Sequence, residues 1–152
     1  MNSFPQDKKE RLIELIGQEL ELFGRIREIA MAQTELLEAD YIESFDYSLD
    51  SRQEIIEKIN GLHQESDVLM QSYISFSNSA GGGKFDEIES AATRLREMIA
   101  LCVELDEKNT SIIEGKKEDH TRQVTEMSMR RESLGKYAPN LPNNPKMFDK
   151  MT

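Results

Sequence analysis

The stretch RLIELIGQELELFGRIREIAMAQTELLEADYIESFDYSLDSRQEIIEKINGL, Arg11 to Leu62, decides the fold. Its first part sets Leu12, Ile13, Leu15, Ile16, Leu20, Leu22, Phe23, Ile26, Ile29, Ala30, Leu36 and Leu37 at three-and-four spacing. That period gathers them on one side of an α-helix and predicts a helix over about Gln6–Glu38. Pro5 stands where a helix tolerates proline best, because the N–H it lacks would have no intrahelical partner there. The pattern lapses at Ala39–Tyr41 and resumes at once. Asp40 followed three residues later by Glu43 resembles a capping box, in which the aspartate accepts from the free N–H groups of a new helix. A tight helical hairpin is the expectation.

Working outward, the second helix is expected over about Tyr41–Asn78. Ile55, Leu62, Leu69 and Phe76 recur every seven residues beside a second row of Phe45, Leu49, Ile56, Ile59, Met70 and Tyr73. Two adjacent rows make a seam wide enough for two partner helices. NSAGGGK, Asn78 to Lys84, has no periodicity, and three consecutive glycines cost too much backbone entropy to continue a helix, so the chain turns back here. A third helix begins near Phe85. Phe85, Ile88, Ala92, Leu95, Ile99, Cys102, Leu105, Ile112 and Ile113 share one face of it, with Asp86, Glu87 and Glu89 placed to complement its N-terminal dipole.

The pattern is firm to Glu114 and then thins. Glu114–Gln123 holds no large apolar residue, after which Val124, Met127, Leu134 and Tyr137 reappear at helical spacing on a polar background. Pro139, Pro142 and Pro145 then stop any helix. Charge changes at the same place: residues 1–114 carry 11 basic and 24 acidic side chains, a net −13, whereas residues 115–152 carry 8 and 5, a net +3. The expected architecture is all-α: an antiparallel, coiled-coil-like bundle of three long helices over residues 1–114, then a partly helical C-terminal segment and Pro/Asn-rich tail over residues 115–152.

Composition excludes several functions. At 152 residues and net charge −10, the chain has the length of one domain and too acidic a balance for phosphate-backbone binding, which rests on Lys and Arg, so nucleic acid is not an expected partner. The longest unbroken apolar run, Met98–Val103, falls far short of the roughly 20 residues that a membrane-spanning helix requires. Membrane insertion is not expected. A polar start from Met1 to Arg11 and a single cysteine, Cys102, point to a reducing, cytoplasmic setting.

Motifs that carry chemistry are sought and mostly not found. GGGK at Gly81–Lys84 lacks the earlier glycine and the following Ser or Thr of a phosphate loop, having Asn78 and Phe85 in those places. A di-iron bundle site needs Glu three residues before His, but His63 and His120 are preceded at that spacing by Asn60 and Lys117, so no metal or cofactor is expected. The carboxylates fall on the polar faces, where a solvated surface is the plain reading. Cys102 falls in the apolar row with Ile99 and Leu105, as a small core residue would. His63, beside Leu62 near the seam, is either pH-sensitive or simply half-exposed. Enzymatic function is not expected. Met127, Met129, Met147 and Met151 lie in the tail, either filling gaps against the bundle or adapting to a varied apolar partner.

LLEADYIESFDYSLDSRQEIIEKINGL, Leu36 to Leu62, resembles the recurrent hairpin of FlgN/FliT-like flagellar export chaperones. IALCVELDEKNTSII, Ile99 to Ile113, and RRESLGKYAPN, Arg130 to Asn140, with FDK at Phe148 to Lys150, are similar to the third helix and C-terminal region of that family. The resemblance implies a cytoplasmic chaperone that binds hook-associated proteins or the filament cap protein, keeps them from premature assembly and presents them to the flagellar type III export gate. It implies a client-binding segment of about Glu118–Tyr137, with Val124, Met127, Leu134 and Tyr137 as apolar contacts and Tyr137 roughly where a family tyrosine engages the gate. The alternative is a structural coiled-coil protein that self-associates through the wide seam of the second helix, and a homodimer stays open under either reading.

Overall fold

Each of the three expected helices forms with its apolar stripe turned inward. The computed structural model describes residues 3–116, in which α1 spans Gln6–Glu38, α2 Ile42–Asn78 and α3 Asp86–Gly115. With 33, 37 and 30 residues, the helices are roughly 50, 55 and 45 Å long. Their shared core contains Leu12, Leu15, Ile16, Phe23 and Ile26 from α1, Phe45, Leu49, Ile56 and Ile59 from α2, and Ile88, Leu95, Ile99 and Cys102 from α3. Burying a large side chain of this kind contributes about 1.5–3 kcal/mol, far more than helix propensity supplies at any one position.

Cross-helix contacts fix the topology. Lys9 meets Glu87, Cys102 the Phe23 carbonyl, Asn109 the Ala30 carbonyl and Lys116 the Leu37 carbonyl, each pair separated by 78 or 79 residues. That constant offset makes α3 parallel to α1. Arg11 with Glu65 and Gln33 with Ser48 make α2 antiparallel to both. The bundle is therefore up-down-up, each helix antiparallel to its neighbour in sequence. Close backbone approach is between α1 and each of the other two. Helices α2 and α3 meet through long side chains, Arg52 to Asp106 and Tyr73 to Glu89.

Two local features differ from the sequence reading. The row buried on α2 is the second one, Phe45, Leu49, Ile56, Ile59 and Tyr73, with Arg52 and Ser66 interleaved, while Met70 of that row and Ile55, Leu62, Leu69 and Phe76 of the first are only half-buried. Asp40 does not cap α2: Tyr41 occupies the N-cap position, and no side-chain capping bond is present. Instead Asp40 has a left-handed backbone, φ 60°, and closes α1. Tyr41 N–H donates to the Leu36 carbonyl at 2.9 Å and Asp40 N–H to that of Leu37 at 3.2 Å, the Schellman pattern with aspartate in the position that glycine usually takes. The Asp40 carboxylate faces Lys116 Nζ at 2.6 Å. With a left-handed rather than an extended backbone, and its carboxylate beside the residue that closes α3, Asp40 is not placed as an N-cap.

The glycine turn at the opposite end is sterically specified. Gly81 has φ 80°, and a Cβ on Gly82 would lie 1.9 Å from the Phe76 carbonyl oxygen. Phe4, Tyr73, Phe76 and Phe85 pack around this turn with ring centroids 5.7–6.3 Å apart, and Lys9 Nζ sits 4.8 Å above the Phe85 ring. The Tyr73 hydroxyl donates to Glu89 at 2.6 Å and accepts from the Phe85 N–H at 3.0 Å, so one side chain joins α2 to the start of α3. Burial, with Glu89 beside it, pushes this phenol up to about 12. Tyr73→Phe keeps the ring and orphans both partners. We expect it to cost about 1–2 kcal/mol, read as a melting temperature roughly 5 °C lower by circular dichroism.

Candidate functional site

Val124, Met127, Leu134 and Tyr137, together with His120, lie outside the described residues. Among the described residues, the polar chemistry concentrates inside the bundle.

The largest such group joins all three helices. Arg52 of α2 is 2% exposed and extends its guanidinium to Asp106 of α3, Nη1 donating to Oδ1 at 2.6 Å and Nη2 to Oδ2. Nη1 also donates to Gln33 Oε1 of α1 at 3.3 Å. Gln33 Nε2 in turn donates to Ser48 Oγ at 2.9 Å, and Ser48 donates to the Phe45 carbonyl. Burial opposes the guanidinium charge, but Asp106 outweighs it and holds the Arg52 pKa above its ordinary value. A bidentate fork in low dielectric is directional, so the group sets the register of α2 against both neighbours. One helical turn beyond Asp106, Asn109 Nδ2 donates to the Ala30 carbonyl at 3.0 Å while its Oδ1 accepts from Thr34.

A second group lies between α1 and α2. Glu19 is wholly buried, its Oε1 accepting from Ser66 Oγ at 2.6 Å and lying 4.0 Å from His63 Nδ1. Burial raises the Glu19 carboxyl to about 7 against the lowering effect of the Ser66 hydrogen bond, with exposed Asp67 adding to the rise. Burial lowers the His63 imidazole below its ordinary range, partly offset by Asp67. Hydroxyl, imidazole and carboxylate are all present, but they do not make a nucleophile. Ser66 gives its hydrogen directly to the carboxylate, and at 2% exposure its oxygen is closed to any substrate atom.

Glu19 overturns the expectation that the carboxylates lie on polar faces. The signal was in the spacing: Leu12, Ile16, Phe23, Ile26, Ala30 and Leu37 leave vacancies at 19 and 33 on the same face, filled by Glu19 and Gln33, both buried. Cys102 stands where its apolar row places it. Its thiol reaches the Phe23 carbonyl at 3.4 Å and is pushed up to about 12, mainly by burial, which leaves it protonated and unreactive at neutral pH.

On the surface, Gln18, Glu21 and Leu22 of α1 and Lys58, Gly61 and Leu62 of α2 line a hollow of about 490 Å3 that opens to solvent. It offers two leucines and one charge of each sign. No group of three or more His, Cys, Asp or Glu among the described residues could hold a metal ion, and no helix among them is long and apolar enough to cross a membrane. Comparisons with protein-family profiles, with curated proteins and with solved structures return no match. What the described residues offer is a register-locked helical scaffold.

Proposed function

We propose that the chain is a FlgN/FliT-like flagellar type III export chaperone. In this reading it works in the cytoplasm, binds hook-associated proteins or the filament cap protein through the segment 118–137, and hands them to the export gate. The observation that carries the reading is a coincidence of boundaries. Helix α3 ends at Gly115, with Lys116 tied to the Leu37 carbonyl and Asp40, at the place where the sequence loses its wide apolar stripe and its charge changes from strongly acidic to mildly basic. The three helices share one buried core, and the narrow stripe of Val124, Met127, Leu134 and Tyr137 follows in the sequence. The resemblance of Leu36–Leu62, Ile99–Ile113 and Arg130–Asn140 to the chaperone family supplies the client class.

The physics suits the role. A client whose terminal helices would polymerise early is kept monomeric by an amphipathic segment laid along their apolar stripe. Four modest side chains give a reversible complex once the ordering of the segment is subtracted, and reversibility is required because the client must be released. Replacing Val124, Met127, Leu134 and Tyr137 together by alanine in the full chain should weaken binding of a purified hook-associated protein about 100-fold in titration calorimetry, with the circular dichroism of the bundle unchanged. Undiminished affinity would remove the segment from the reading.

The competing reading, a self-associating coiled coil, draws on the half-buried row Ile55, Leu62, Leu69 and Phe76 along α2. Sedimentation over a concentration series separates the two. An obligate oligomer indifferent to hook-associated proteins favours the coiled coil.

A further inference from the structure

The seam between α1 and α2 is interrupted at one level by Glu19, His63 and Ser66. Around Glu19 on its own helix stand Leu15, Ile16 and Phe23, all buried. From α2 come Ile59, His63, Ser66 and exposed Asp67. The register of 79 between α1 and α3 sets position 98 beside position 19. There α3 presents buried Leu95 and Ile99, its Arg96 and Glu97 are exposed, and the Cys102 thiol is engaged by the Phe23 carbonyl. The titratable groups around the carboxyl are thus His63 and Asp67 on α2, with Cys102 beyond them on α3.

As an anion, Glu19 accepts one hydrogen bond, from Ser66 to Oε1, and its Oε2 is buried with no partner. A buried charge with an unpaired oxygen is costly to keep. As a neutral acid it fits the same space without the cost of a buried charge. Its O–H donates to Ser66 Oγ, and the Ser66 hydrogen turns to the His63 carbonyl, 3.3 Å away. We propose that Glu19, Ser66 and His63 form a proton-operated latch between α1 and α2, closed while Glu19 holds its proton and loosened when the proton passes to solvent. Gln18 and Leu22, and Gly61 and Leu62, neighbours of the latch in sequence, line the surface hollow between α1 and α2.

The sign follows from the direction of each shift. Glu19 binds its proton more tightly in the folded protein, so its stabilising contribution is complete below the ordinary carboxylate range and is lost as pH rises to about 7. His63 acts oppositely: its folded-state affinity for a proton is lowered, so stability declines as pH falls below about 6.5. The two oppose each other in mildly acidic solution, and Glu19 dominates toward neutrality.

The test uses the full chain uniformly labelled with 13C and 15N, the Glu19 carboxyl signal being assigned by side-chain correlation to the Glu19 backbone. We expect that signal to titrate near 7, and S66A to move its midpoint further up by removing the donor to the anion. Between pH 5 and 8 the wild-type unfolding constant in urea should rise on the order of 100-fold relative to that of E19Q. Amide exchange, corrected for intrinsic pH dependence, should accelerate around residues 15–23 and 59–70 but not around Asn109. A Glu19 signal titrating in the ordinary carboxylate range, an S66A midpoint that stays or falls, or loosening spread evenly along the bundle would each overturn the latch. The wild-type titration and S66A decide the matter even if E19Q does not fold.

Discussion

Arg52→Ala should destabilise the protein by about 3–5 kcal/mol in urea denaturation, among the largest effects of any single substitution here. The truncation leaves the Asp106 carboxylate, whose side chain is 12% exposed, without its cation, and leaves Gln33 Oε1 without its donor. Those losses far exceed the side-chain packing removed. The net worth of the pair is a different matter, because bringing both charges out of water consumes most of their attraction. Replacing both partners by apolar residues of similar size, Arg52→Met with Asp106→Leu, should therefore recover most of the loss and fall within about 1–2 kcal/mol of the wild type. If the double substitution is as damaging as the single one, Arg52 acts through its shape or its bond to Gln33, and the charge argument fails.

Leu95→Ala is the second large effect, about 2–5 kcal/mol by the same measurement. Leu95 is 0% exposed and belongs to the core cluster that α3 shares with the other helices, so truncation leaves a cavity that the surrounding side chains fill only in part. Leu101→Ala is the control. That side chain is 38% exposed, and its loss should change stability by no more than about 0.5 kcal/mol. Similar costs at 95 and 101 would mean that α3 is rotated from the face assigned to it.

The helices were legible in the sequence because periodic apolar burial dominates their energetics. Runs such as Leu12 to Leu37 and Ile88 to Ile113 leave one inward face, and the glycine triplet leaves one place to turn. The vacancies at Glu19 and Gln33 are legible in the stripe of α1, but what makes such a residue tolerable inside is not, since an arginine or glutamate at three-and-four spacing looks the same in the sequence whether a partner waits on another helix or not. Arg52 is stable inside because Asp106, 54 residues away, is aimed at it, and no local pattern encodes that meeting. Asp40 is ambiguous in the sequence for a related reason. Aspartate suits both an N-cap and a left-handed C-terminal turn, and Lys116, 76 residues on, decides between them. The stripe at Val124, Met127, Leu134 and Tyr137 rests on the sequence alone.

An odd number of rods laid side by side has a geometric corollary. Because α3 runs the same way as α1, residue 3 and residue 116 stand at opposite poles, roughly 45–50 Å apart along the long axis. A bead, a purification handle or a fluorophore fixed beside residue 3 is thus a full helix length from residue 116. Surface-tethered capture beside residue 3 holds residue 116, after which the segment of the chaperone reading begins in sequence, at the pole away from the surface.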